Sequence, residues 1–183
     1  TPAARDAAMV DIAEHTPEPP AWLSGRGGKA GARGAPTCIL SDIHYGETIF
    51  KDQVGGYNEY NPAVARKRVM KWADKVVDLA LNHMGRGQEK YPGLICMFGG
   101  DMIGGDIHEE LAWTNAKTTI QSVNEVTDLL AGAIDNLATS FGKIFIPAVV
   151  GNHGRTTKKR HNKNMVFTNY DWGIYCNLER YFK

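Results

Sequence analysis

Leu94-Ile95-Cys96-Met97-Phe98-Gly99-Gly100-Asp101-Met102-Ile103-Gly104-Gly105 is the stretch that decides the fold. An unbroken apolar run stopped by paired glycines is the pattern of a buried parallel strand, and its C-terminal tip carries a carboxylate, Asp101. Two other apolar runs end in the same manner. Thr37-Cys38-Ile39-Leu40-Ser41 leads into Asp42-Ile43-His44, and Ile144-Phe145-Ile146-Pro147-Ala148-Val149-Val150 leads into Gly151-Asn152-His153. Amphipathic segments separate the runs. Asn61-Pro62 reads as a helix start, followed by Ala65, Val69, Trp72, Val76, Leu79 and Ala80 at helical spacing, with Gly85 as the stop. Ile120, Val123, Val126, Leu130, Ile134, Leu137 and Phe141 form a second stripe that ends at Gly142. Strand, helix, strand, helix, strand predicts right-handed crossovers and an α/β fold, a parallel-sheet core with flanking helices. Tyr170 to Phe182 reads as a closing helix that packs Trp172, Tyr175, Leu178 and Phe182 on the core.

Open α/β sheets bind ligands at the carboxyl ends of their strands, and neighbouring strands lie about 4.8 Å apart. Asp42, His44, Asp101 and Asn152 are therefore expected to converge. In extended backbone, residues two apart share a face, so Asp42 and His44 would chelate together. A central carboxylate such as Asp101 suits a bridge between two cations held about 3.5–4 Å apart. The mixture of carboxylate, imidazole and amide donors favours manganese, with iron and zinc as alternatives, over calcium.

The ordered set Asp-x-His, Gly-Asp, Gly-Asn-His resembles the first three motifs of the calcineurin-like metallophosphoesterases. The resemblance covers roughly residues 36 to 183 and implies the N-terminal half of that family's β-sandwich. It implies that Asp42 and His44 hold a first divalent metal, that Asp101 bridges, that Asn152 holds a second, and that His153 faces the substrate as the catalytic histidine. The activity it implies is hydrolysis of a phosphate ester, in the first place a phosphodiester or nucleic acid, with a phosphomonoesterase or a non-catalytic binding module as the alternatives. That family closes its site with a Gly-His-x-His motif, whereas the only histidine after residue 153 here is His161, so the domain is expected to be incomplete at its C-terminal end. Gly104-Gly105 stands where phosphoprotein phosphatases place an Asp-Arg pair, which points away from that branch.

Arg155-Thr156-Thr157-Lys158-Lys159-Arg160-His161-Asn162-Lys163-Asn164 follows directly on the third tip. Beside a phosphate-handling centre, Arg155, Lys158, Lys159, Arg160 and Lys163 suit a substrate with several phosphates, such as nucleic acid. Tyr45 to Tyr60 reads as a loop on the same rim and a candidate substrate lip. Asp106, three residues before Glu109, is expected to cap the helix that begins there, with His108 above the rim.

Composition narrows the rest. The chain has 183 residues and a formal net charge of +1, which gives no global argument for nucleic acid or membrane, so only local charge speaks to partners. Cys38, Cys96 and Cys176 lack metal-type spacing and read as reduced core thiols of a cytoplasmic protein. No run approaches the roughly 20 apolar residues of a membrane span. Residues 1 to 35, rich in Ala, Pro, Gly and Arg, read as a flexible tail in which Arg26, Lys29 and Arg33 are solvated and only Ala21-Trp22-Leu23 is apolar enough to dock.

Overall fold

The computed structural model describes residues 18–24, 34–84, 91–161 and 163–183. The leading segment is a unit apart from Gly34–Lys183. Its described part contains a single helical turn, Ala21–Ser24. Arg26, Lys29 and Arg33 lie outside the described residues, as does Gly85.

The main unit is mixed α/β. In chain order it holds β1 (Thr37–Leu40), α1 (Pro62–Asp78), β2 (Leu94–Phe98), α2 (Glu109–Thr114), α3 (Thr119–Phe141), β3 (Ile144–Phe145) and α4 (Tyr170–Phe182). The strands form one parallel sheet in the order β1-β2-β3. Thr37 pairs with Ile95, and Leu94 pairs with Ile144. Asn61 caps α1 by accepting the Val64 N–H at 3.0 Å, with Pro62 in the first turn where a missing N–H costs nothing. Thr118 and Gln121 form a reciprocal capping box on α3, and Gly142 ends it at φ 73°. Beyond Asp78, α1 widens into a π-turn over Leu79–His83.

The core gathers Leu40, Leu94, Cys96 and Phe98 of the sheet with Ala65, Val69 and Ala73 of α1 and Val126, Leu130 and Leu137 of α3. β2 therefore alternates rather than being buried throughout. Met97 is 37% exposed and Ile39 58%, because the helices cover one face of the sheet and these side chains point to the other.

Three further expectations are corrected. The third strand is shorter than its apolar run: after Ile144–Phe145 the pairing lapses and returns only as an isolated bridge between Phe98 and Ala148, in unchanged register. The Phe98 N–H donates to the Pro147 carbonyl, and the Val149 N–H donates to Phe98. By the same alternation the missing rung would need an N–H on Pro147, which has none. The closing helix occupies the expected residues, but its buried face is Asp171, Ile174 and Leu178, while Phe182 is 44% exposed. Finally, α2 starts at Glu109 with His108 in the cap position and no side-chain cap, so Asp106 lies outside the helix and makes no capping box.

Candidate metal centre

The first two strand tips are built alike. Beyond Leu40 and Phe98 the chains leave regular strand geometry, and they pair again at Tyr45 and Ile103 in the same register. Between those points lie Asp42, His44 and Asp101, with φ of 55°, 48° and 53°. Left-handed backbone is unfavourable for a residue with a Cβ, by about 1 kcal/mol or more, so its use at each of these donors is a feature of the site. This corrects the expectation that Asp42 and His44 share a face of extended chain. They meet because the backbone curls. The detour is held by N–H groups of Asp42, His44 and Tyr45 donating to Gly100, Asp101 and Met102 at 3.0–3.1 Å. Beneath it Tyr45, Met102 and Ile103 are fully buried, and the Tyr60 hydroxyl donates to the Ile43 carbonyl.

Each of Asp42, His44 and Asp101 presents a ligand atom within 4.8 Å of the other two. His44 Nε2 lies 3.8 Å from Asp42 Oδ1. Its other nitrogen, Nδ1, is buried without a hydrogen-bond partner among the described residues and stands 3.8 Å from Glu47 Oε2. A metal-bound imidazole commonly directs its second nitrogen to a carboxylate, so this orphaned atom and its neighbour fit a divalent cation. Ser41 donates its hydroxyl to Asp42. The donors are two carboxylates and an imidazole, a mixed oxygen and nitrogen set able to hold a divalent cation.

The third tip is held differently. The His153 N–H donates to Asp101 Oδ1 at 2.7 Å. The His153 ring meets His44 edge-on, with centroids 4.4 Å apart, and lies 5.2 Å from the ring of His108. His153 Nδ1 is 3.1 Å from the Gly104 carbonyl. A carbonyl only accepts, so Nδ1 carries the proton and Nε2 is left as the basic nitrogen. Asn152 is exposed on the turn between Gly151 and His153. Contact between tips is close enough that a Cβ on Gly100 would strike the Gly151 backbone nitrogen, and one on Gly151 would strike the Asp101 carboxylate.

Sequence reasoning missed Asp171 and Asn169. Asp171 is fully buried, and its carboxylate accepts the N–H of Asp101 and of Gly151 at 2.9 Å and that of Met102 at 3.1 Å. Burial pushes its carboxyl up while these donors pull it down. The Asn169 amide donates to the Gly151 carbonyl at 2.8 Å, and its oxygen accepts the Asp171 N–H at 2.8 Å, capping α4. The signal was a carboxylate at the apolar spacing of Asp171, Ile174 and Leu178.

Around the rim, Arg155 forms a backbone bridge with Asn169, and its Nε is buried without a hydrogen-bond partner among the described residues. Lys158 spans to Glu109 at 2.9 Å, which lowers the Glu109 carboxyl and ties the basic loop to the start of α2. Lys159, Arg160 and Lys163 are exposed. The Tyr45–Tyr60 loop is closed by an antiparallel bridge between Ile49 and Tyr60, contains a 3-10 turn over Lys51–Val54, and exposes Tyr57 almost completely. No helix among the described residues is long and apolar enough to cross a membrane. No protein-family model, no curated protein and no solved structure matches the chain.

Proposed function

We propose that the protein is a metal-dependent phosphoesterase, related to the calcineurin-like metallophosphoesterases, whose preferred substrates are phosphodiesters, nucleic acid among them. The observation that carries this reading is the convergence of Asp42, His44 and Asp101 on three left-handed backbone positions at the carboxyl rim of a parallel sheet. Such strain collects at functional sites, and here it falls on one exposed and two partly buried polar residues rather than on the apolar core.

In this reading Asp42, His44 and Asp101 hold one divalent ion, manganese in the first place with iron and zinc as alternatives, and Asn152 extends the site to a second. Bound there, the ions supply Lewis acidity, lowering the pKa of water and neutralising phosphoryl oxygens. His153, with Nδ1 committed to Gly104, has Nε2 free to take a proton from the attacking water and to pass that same proton to the leaving oxygen as the ester bond breaks. Arg155, Lys159 and Arg160 attract a polyanion to the rim, and the proposal extends to Lys158, whose partner Glu109 is exposed enough to exchange for phosphate. Free thiols at Cys38, Cys96 and Cys176 agree with a reducing compartment such as the cytoplasm.

The test is turnover of bis-(p-nitrophenyl) phosphate against p-nitrophenyl phosphate, with added manganese and after chelation. Manganese-dependent cleavage favouring the diester is expected. Preference for the monoester would place the protein among phosphomonoesterases, and inactivity on both, with no manganese bound, would overturn the enzyme reading in favour of a binding module.

A further inference from the structure

The element that joins the third tip to the first two is Asp171. Its position is chemically unusual. A carboxylate fully removed from water is costly unless it is well hydrogen-bonded, and a residue at this place in the apolar stripe of α4 would ordinarily be Leu or Ile. What it meets explains its presence. At Asp101 and Met102 the chain has left strand geometry, and at Gly151 the third run has passed the end of its pairing, so these N–H groups are turned away from any neighbouring strand. An ionised carboxylate has about four lone-pair sites and no donor, which lets one side chain accept from all of them. No neutral side chain of that size does so.

The support beneath is equally specific. Asn169 caps α4 and holds the Gly151 carbonyl, so the same turn is gripped at its N–H by Asp171 and at its C=O by Asn169. Asp171 lies in the first helical turn, where the backbone dipole favours negative charge. Tyr175, one turn on, donates its hydroxyl to the Val149 carbonyl at 3.0 Å and fixes the run leading into the turn. With its backbone N–H held by Asp171, Asp101 directs its own carboxylate to the other side, where Oδ1 receives the His153 N–H. One buried carboxylate thus sets the spacing between the residue that presents Asp101 and the turn that presents Asn152 and His153.

We propose that Asp171, assisted by Asn169, is the positioning residue of the metal centre, clasping the second and third strand tips so that their donors act as one site. This rests on the metal-centre reading for its consequence, although the clasp itself is testable without metal.

The first measurement is amide hydrogen exchange in the metal-free protein. Asp171→Asn keeps the volume but supplies one acceptor oxygen in place of two. Exchange at Asp101, Met102 and Gly151 should accelerate about tenfold or more, the scale of losing a hydrogen bond to a charged group, while amides of α3 keep their protection. Unchanged exchange at those three positions would overturn the proposal. The second measurement is manganese affinity by calorimetry. Outer partners of metal ligands typically govern 10–100-fold in affinity, and a loss of about that size is expected for Asp171→Asn, with a smaller loss for Asn169→Ala. Wild-type affinity in a folded Asp171→Asn protein would overturn the positioning role. If Asp171→Asn does not fold, Asn169→Ala carries the test, since it removes the acceptor of the Asp171 N–H and the donor to the Gly151 carbonyl: faster exchange at Asp171 together with Gly151 supports the clasp, and wild-type exchange at both overturns it. Failure of the wild-type protein to bind manganese, with exchange accelerated in the variants, would sink the metal reading and leave the clasp standing.

Discussion

The first strand tip and the third both meet at Asp101, and they are secured by different means. The β1 tip is tied to the β2 tip by main-chain hydrogen bonds and returns to strand pairing at Tyr45 and Ile103. The β3 tip, after the lapse at Pro147, is secured by side chains that come from a helix close to the other end of the unit. Main-chain pairing tolerates almost any side chain and breaks only when the backbone is forced. Side-chain clasping depends on a few identities and fails one residue at a time. The comparison therefore says where the site is robust and where it is brittle.

The severest way to break it is at the residue both tips share. Asp101→Asn removes the central anionic donor, and because Lewis-acid assistance contributes several kcal/mol, activity on a phosphodiester should fall about a thousandfold in steady-state assays. Forcing the tips apart comes next. Gly100 stands at φ 87° against the Gly151 backbone, so Gly100→Ala meets both strain and collision and should lower unfolding free energy by roughly 2–3 kcal/mol in denaturant titrations. The loop that continues from the third tip gives a graded effect. Replacing Lys159 and Arg160 together with Ala should weaken binding of single-stranded nucleic acid and make the salt slope shallower by about 1.4, or about 0.7 for each lost phosphate contact, as read by fluorescence anisotropy at several ionic strengths.

The smallest effects belong to the first tip. The Tyr45 hydroxyl donates to Glu125 at 2.7 Å and receives a bond from Arg66 at 3.3 Å. Tyr45→Phe should cost about 1 kcal/mol of stability and leave manganese affinity unchanged, since main-chain bonds hold that tip; a tenfold loss of affinity would erase the distinction drawn between the tips. The bond from Lys117, with that from Tyr45, holds the Glu125 carboxyl below its ordinary range. A lowered carboxyl contributes stability above the unfolded value, about 4.3, and loses it as pH falls through the folded value. Glu125→Gln should thus be less stable than the parent near neutrality by under about 1 kcal/mol, with the two converging in acid.

What was legible in the sequence follows the same division. Strands, both long helices and the closing helix were readable because apolar period and caps are local: Asn61-Pro62 and Gly142 mark ends wherever they fall. The convergence of Asp42, His44 and Asp101, three of the four donors expected to meet, was readable from their place at the carboxyl ends of parallel strands. The backbone form at those residues was not, because nothing in a short polar stretch distinguishes extended from left-handed chain when distant packing decides it. The phase of α4 was legible only in part: of Trp172, Tyr175, Leu178 and Phe182, Leu178 is buried and Tyr175 packs on the core, while the fully buried positions Asp171 and Ile174 were not foreseen and Phe182 is 44% exposed. Pro147 carried its message openly, yet the missing rung depends on which side of the strand faces β2, which only the register reveals.

The left-handed angles at Asp42, His44 and Asp101 set durability against purpose. Glycine accepts such angles without penalty, so Asp42→Gly or His44→Gly would relax the main chain by up to about 1 kcal/mol while discarding a donor. On the proposed function, a library of this protein sorted only for survival on heating would drift toward members that lack these side chains, and any programme to toughen it would screen for cation binding at every round.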